Sequence, residues 1–294
     1  MFTREISGPI PPVEYRTVPV NGVNLFYRDA GPKDAPVILL LHGFPSSSRM
    51  FATLIPLLAD RYRLIAPDYP GFGHSDAPPP ETFAYTFDHL ADCMEKFVAY
   101  LGLTRYTLYL QDYGGPIGFR LAVAHPERVA ALIIQNAVVH LEGLAKAWDV
   151  RKAFWQDRAV YEAKLWQALL SPEVARQRHA GHVPERIDPD TWTDEFAFLT
   201  RPGMDRIQLD LMFDYRTNVA AYPRWQTYLR EQRPPTLVVW GKHDALFTVE
   251  GALAFGHEVP DAEIHLLNAG HFALDEEVDA AAALIRRFLQ SRIQ

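Results

Sequence analysis

The sequence predicts an α/β fold, a mainly parallel twisted sheet with helices on both faces and a helical segment inserted between two strands. Three observations predict it. Short apolar runs at Val37–Leu41, Tyr106–Gln111, Val129–Gln135 and 236–240 suit strands covered on both faces. Helical spacing alternates with them, and such alternation means parallel strands joined by helices. Over residues 140–232 strand signals fade, and Trp, Arg, Glu and Ala recur with helical spacing. A cap at 137–232 is therefore expected to interrupt one core made of residues 15–136 and 233–294.

Taken in order, residues 1–14 read as an irregular arm. Residues 15–20 and 23–28 alternate on either side of Asn21-Gly22, the strongest short hairpin signal. Val37–Leu41 ends in His42-Gly43-Phe44-Pro45. Ser46 to Ser48 then offer caps for one helix through Met50, Phe51, Leu54, Leu57 and Leu58. A strand at 63–66 runs into Asp68-Tyr-Pro-Gly-Phe-Gly-His-Ser75, dense in turn formers. Thr86 is placed to cap a helix through Leu90, Cys93, Met94, Phe97, Val98 and Leu101, which stops at Gly102. The strand at 106–111 breaks into a helix at Gly114-Gly115, with Pro116 in the first turn, where proline is tolerated. Pro184, Pro189 and Pro202 divide the insert. Strands at 236–240 and 263–267 and an amphipathic helix at 275–290 complete the chain.

Composition narrows the function. The chain has 294 residues, 48% hydrophobic and 22% charged, as an ordinary globular protein does. Its net charge of −7 comes without a basic cluster, which argues against nucleic acid, since phosphate neutralisation needs grouped Lys and Arg. The longest unbroken apolar run, Val37–Leu41, is far short of a membrane span. Residues 1–12 lack the apolar core of a signal peptide, so a cytoplasmic setting is expected. Cys93 is the one cysteine, so no intrachain disulfide can form, and it reads as a small buried side chain.

Catalytic groups in open parallel sheets gather beyond the carboxyl ends of the strands. Asp112 stands at the tip of the strand-turn-helix elbow, where it is expected to be exposed and ionised at the positive end of a helix. Asp244 follows the strand at 236–240, and His271 follows the strand at 263–267. A lone Asp after a strand is commonly a helix cap, and a lone His is commonly structural. Three such residues at strand ends, in the order nucleophile, acid, histidine, point to a triad. The backbone N–H groups of Phe44 and Tyr113 are expected to form an oxyanion hole. Ser75 is the one serine in a comparable turn, but Pro78-Pro-Pro80 follows it and no helix starts there. His179 and His182 lack an evident third metal ligand, and Arg176-Gln-Arg-His179 reads as a solvated face. Gly71-Phe-Gly73 lacks a phosphate-loop pattern and reads as a turn.

Together, His42-Gly-Phe-Pro45, Asp68-Tyr-Pro-Gly-Phe-Gly-His-Ser75, Gln111-Asp-Tyr-Gly-Gly115, Trp240-Gly-Lys-His-Asp244 and Gly270-His271 resemble the α/β-hydrolase superfamily. The chain is most similar to the branch with an aspartate nucleophile, shared by epoxide hydrolases and haloalkane dehalogenases, over residues 15–290. The resemblance implies the α/β-hydrolase fold and a hydrolase that needs no metal or organic cofactor. It also implies Asp112 as nucleophile, Asp244 as orienting acid and His271 as base. A carboxylate attacking an ester would give a mixed anhydride, whereas attack on a saturated electrophilic carbon gives an ordinary ester. The expected substrate is therefore a small apolar electrophile.

An epoxide oxygen leaves as an alkoxide and wants an acid, and a tyrosine O–H can serve. Phe213-Asp-Tyr215-Arg-Thr-Asn218 resembles the epoxide-hydrolase cap segment whose tyrosine holds the epoxide oxygen, which implies that role for Tyr215. A second cap tyrosine is implied nearer the start of the insert. Tyr161 is the tyrosine of that part, and Trp155 lies closer to the implied place; with His42 they are the expected substrate contacts. The alternative substrate is a haloalkane, with Trp148, Trp155, Trp166 or Trp192 offering an N–H to the halide. An esterase or lactonase using Asp112 as a base, or a ligand receptor without turnover, are further readings.

Overall fold

The structure, a computed structural model, describes residues 11–292 apart from 170 and 180, so most of the expected N-terminal arm lies outside the described residues. The strands are β1 (Glu14–Val20), β2 (Val23–Ala30), β3 (Val37–Leu41), β4 (Arg63–Pro67), β5 (Tyr106–Gln111), β6 (Val129–Gln135), β7 (Thr236–Gly241) and β8 (Glu263–Leu267). They form one sheet in the order β1-β2-β4-β3-β5-β6-β7-β8. β2 pairs antiparallel with β1 and with β4, and every later pairing is parallel. The first hairpin turns at Asn21 (φ 52°) and Gly22 (φ 77°), the two left-handed residues that such a turn requires.

The helices are α1 (Ile55–Leu58), α2 (Phe87–Tyr100), α3 (Gly114–Ala124), α4 (Asp149–Gln156), α5 (Arg158–Leu169), α6 (Pro172–His179), α7 (Asp190–Leu199), α8 (Met204–Gln232), α9 (Val249–Glu258) and α10 (Ala273–Arg292). Alternate residues of the central strands enter opposite cores, as a two-residue period demands. Leu39, Leu41, Leu108, Leu110, Val238 and Trp240 share one apolar cluster with residues of α2, α3, α8 and α9. Ile38, Leu40, Tyr109, Ile133, Leu237 and Val239 share the other with residues of α1 and α10. Each fully buried Leu or Ile side chain contributes about 1.5–3 kcal/mol, so the two cores hold the strand ends in fixed register.

Thr86 caps α2, its hydroxyl accepting from His89 N–H at 3.2 Å. The helix expected through Met50 to Leu58 is instead split into a 3-10 turn at Ser48–Phe51 and the short α1. Pro56 explains the break, because it has no N–H to donate and its ring crowds the carbonyl four residues back. Between β6 and β7 the described residues form helices and connecting turns, with one isolated β-bridge from Leu144 to Phe247 and with α8 packing back on α2, α3 and α9. β6 and β7 are parallel neighbours, so this helical segment leaves from the carboxyl end of β6, on the side where the loops after β3, β5 and β7 also lie. Among the described residues no helix is long and apolar enough to cross a membrane.

Candidate active site

β5 ends at Gln111 and α3 begins at Gly114, and the turn between them holds Asp112 at φ 47°. A non-glycine residue in that region is strained by on the order of 1–3 kcal/mol and persists only where its surroundings enforce it. Glycines supply the close approach. A Cβ at Gly114 would strike the Leu41 carbonyl, and one at Gly43 would strike the Gln111 and Asp112 side chains.

The elbow fixes the two Asp112 oxygens differently. Oδ1 accepts the Phe44 N–H at 2.8 Å, and the Tyr113 N–H also bears on the carboxylate. Oδ2 lies 3.9 Å from His271 Nε2. On the far side of the ring, His271 Nδ1 donates to Asp244 Oδ2 at 2.7 Å. Asp244 is held in turn: Oδ1 accepts from Leu246 N–H at 2.7 Å, and Oδ2 accepts from Asn136 Nδ2 at 2.8 Å. Asn136, itself at φ 43°, also accepts the Gly241 N–H at 2.9 Å, tying the end of β6 to the end of β7. Gln111 Nε2 lies 3.0 Å from His271 Nε2 and donates to the neutral ring, while Gln111 Oε1 has no partner. A flip of that amide would let Oε1 accept from the imidazolium, so Gln111 suits both charge states. The roles of Asn136 and Gln111 were not legible from their positions in the sequence.

Asp112 was expected in the open, but it is only 5% exposed, because the helical segment roofs the elbow. Burial pushes its carboxyl above the ordinary carboxylate value, against the opposing pull of His271 and of the two N–H groups. Burial also opposes charge on His271, but Asp244 and Asp112 outweigh it and raise the ring above its ordinary value. The cavity above Asp112, about 20 Å³, is lined by Phe44, Tyr113, Trp148, Arg151, Arg178, Met212, Tyr215 and Leu246. That is room for one or two waters, and an adjoining cavity of about 360 Å³ shares Arg151, Arg178 and Leu246 with it and reaches Asp244 and His271.

His42, Trp155 and Tyr161, expected to touch substrate, do not line this cavity. His42 is fully buried, stacked on Tyr69 at 4.1 Å, with Nδ1 3.0 Å from its neighbour's carbonyl. Trp155 lies parallel to Tyr215 at 6.1 Å and donates its N–H to the Met212 carbonyl at 2.8 Å. Tyr161 packs partly buried against the same apolar cluster from α5. Trp148 does line the cavity, yet its N–H is committed to the Leu246 carbonyl at 3.0 Å. Ser75 is buried and structural: its hydroxyl donates to the Asp68 carbonyl at 2.7 Å and accepts from Phe26 N–H at 2.9 Å. Cys93 is fully buried, and burial pushes its thiol up to about 11.

The stretch at 176–179, expected as a solvated face, is divided. Arg176 and Gln177 are exposed, whereas Arg178 reaches the cavity and His179 is 3% exposed. Placement of α6 against the core, invisible in its charged composition, makes the difference. His179 lies between Glu195 of α7 at 2.7 Å and Asp275 of α10 at 2.8 Å, so one ring fastens two helices of the roof to the helix after His271. Burial opposes its charge, but the two carboxylates raise it to about 9. The ring's folded value lies above its ordinary 6.5. Its stabilisation is therefore complete below about pH 6.5 and is lost as pH rises through about 9. The thermal midpoint is expected to fall across that window, and the fall is expected to flatten in His179→Gln, as calorimetry at stepped pH will read.

The family model described as alpha/beta hydrolase fold matches residues 36–278. An uncharacterized hydrolase of Saccharomyces cerevisiae is 41% identical over 269 residues, covering 89% of this chain and 92% of the relative. Haloalkane dehalogenase 2 of Mycobacterium tuberculosis is 28% identical over 303 residues, covering 94% and 96%. Among solved structures, the epoxide hydrolase CorEH superposes with a TM-score of 0.76 at 21% identity, covering 95% of this chain and 99% of that one, a likeness of fold.

Proposed function

This chain belongs to the α/β-hydrolase fold family, and within that family we propose that it is an epoxide hydrolase working through a covalent ester on Asp112. One observation carries the reading: a buried carboxylate has one oxygen held by Phe44 N–H and the other open toward His271, with Tyr215 in the same cavity. Oδ2 attacks a ring carbon from behind. The carbon–oxygen bond of the epoxide breaks, and its electron pair leaves on the oxygen, which takes the Tyr215 proton. Burial raises the Tyr215 phenol well above its ordinary value, so the hydroxyl stays protonated until a stronger base forms beside it.

Alkylation removes the Asp112 charge, one of the two carboxylate charges that raise His271. The ring is then easier to keep neutral at the moment a base is needed. His271 takes a proton from water, and the hydroxide adds to the ester carbonyl carbon. The oxyanion forms on Oδ1, already facing the Phe44 N–H, and such donors commonly supply about 3–4 kcal/mol. Collapse breaks the bond from Cγ to Oδ2, and the diol leaves with Oδ2 and the His271 proton. The remaining water proton returns to Tyr215.

Tyr215→Phe is expected to lower epoxide turnover by about 10²–10⁴-fold. It should leave bromide release from a bromoalkane, where the leaving group needs no proton, within a few-fold. Equal loss of both activities would remove Tyr215 from the ring-opening role. Haloalkane hydrolysis is the second reading, favoured by likeness to the mycobacterial dehalogenase over nearly its whole length. Against it, the N–H groups of Trp148 and Trp155 are already given to backbone carbonyls.

A further inference from the structure

Two guanidinium groups, Arg151 on α4 and Arg178 on α6, line the cavity that holds Asp112. Both terminal nitrogens of Arg178 are buried and have no hydrogen-bond partner. Its Cζ sits 5.4 Å from the centre of the Phe44 ring, directly beside the residue whose N–H holds Asp112. Arg151 stands over Trp148 at 5.1 Å, and its one backbone bond, to the Ala147 carbonyl at 3.2 Å, leaves other donors free. Acids near Arg178 do not account for it. Glu195 is taken up by His179 at 2.7 Å, and Asp112 is held by backbone N–H groups. Burial lowers the pKa of both guanidinium groups, that of Arg178 to about 10, where repulsion from Arg151 adds to the effect.

An unpaired buried cation is costly, and such groups are ordinarily matched by an anion. The cost grows during the reaction read above, because esterification of Asp112 removes the one carboxylate lining the cavity. A substrate that brings its own carboxylate would restore the balance, and a planar guanidinium fork matches a carboxylate with two parallel bonds. We propose that the site takes a small electrophile bearing a carboxylate beside its reacting carbon, an oxirane carboxylate or a 2-halo acid, with Arg178 as the anion-binding residue and Arg151 as the second cation. This rests on reading Asp112 as the nucleophile, and it replaces the small apolar substrate expected from the sequence. Atoms balance as before: an oxirane acid plus water gives a dihydroxy acid, and a halo acid plus water gives a hydroxy acid, halide and a proton.

The test pairs acids with their amides, oxirane-2-carboxylate against oxirane-2-carboxamide and chloroacetate against chloroacetamide. For at least one pair, kcat/KM is expected to favour the acid by on the order of 10²-fold. Arg178→Met should erase that preference, bringing acid and amide to within a few-fold of each other, and Arg178→Lys should restore part of it. Binding is read separately by calorimetry of propionate with Asp112→Asn, which cannot turn over; binding is expected, and it should be lost in Asp112→Asn/Arg178→Met. Propionate binding without turnover of any electrophile would keep the anion site and sink the nucleophile. Turnover of neutral epoxides with no acid preference, and no propionate binding, would keep the nucleophile and overturn this proposal.

Discussion

His271→Gln is expected to slow steady-state epoxide hydrolysis by about 10²–10⁴-fold while leaving the first half-reaction nearly intact. The attacking Oδ2 and the Phe44 N–H on Oδ1 do not depend on the imidazole, so alkylation of Asp112 should proceed. Water then lacks its base. The enzyme should accumulate as an ester, visible in intact-protein mass as the weight of one substrate and mapped by peptide mass to Asp112. A burst of one equivalent followed by near-zero turnover is the kinetic form of the same result. Loss of both alkylation and hydrolysis would instead mean that His271 acts before the ester forms.

Asp112→Asn is expected to lower turnover by on the order of 10⁴-fold or more, with no adduct at any time, since the neutral amide is a poor nucleophile of the same shape. Stability should not fall with activity. Burial already works against the Asp112 charge, and relief of that desolvated ion offsets the loss of the one carboxylate facing Arg151 and Arg178. Combining it with His271→Gln should cost little more, because the two residues serve one sequence of steps. An adduct in Asp112→Asn, or a thermal midpoint many degrees lower, would contradict this account.

The parts of the site legible in the sequence are those built by local pattern. The apolar runs of β3, β5, β6 and β7 place strands, and Gly114-Gly115 marks the elbow, because a Cβ at Gly114 would meet β3. Asp112 and Asp244 follow the runs of β5 and β7, and His271 follows the short strand β8, so their meeting needs only the parallel sheet. What the sequence hid depends on the helical roof. Whether Asp112 is exposed, whether Arg178 faces water and whether Trp155 offers its N–H are all decided by how α4 to α8 sit over the strand ends. Those helices carry charges on several faces, so composition could not say which face turns inward. Asn136 lacked a signal for another reason: its side chain acts through one bond to Asp244 and two to Gly241, both more than a hundred residues away.

The covalent ester on Asp112 is tested most directly by a single turnover, with enzyme in excess of a small oxirane, in water enriched in oxygen-18, followed by mass analysis of the peptide carrying Asp112. Water that attacks Cγ leaves its oxygen in the side chain, so the peptide is expected to gain one heavy oxygen while the diol receives an unlabelled one. An unlabelled peptide with the heavy oxygen in the diol would mean that water attacks the substrate directly, and the ester would have to be abandoned.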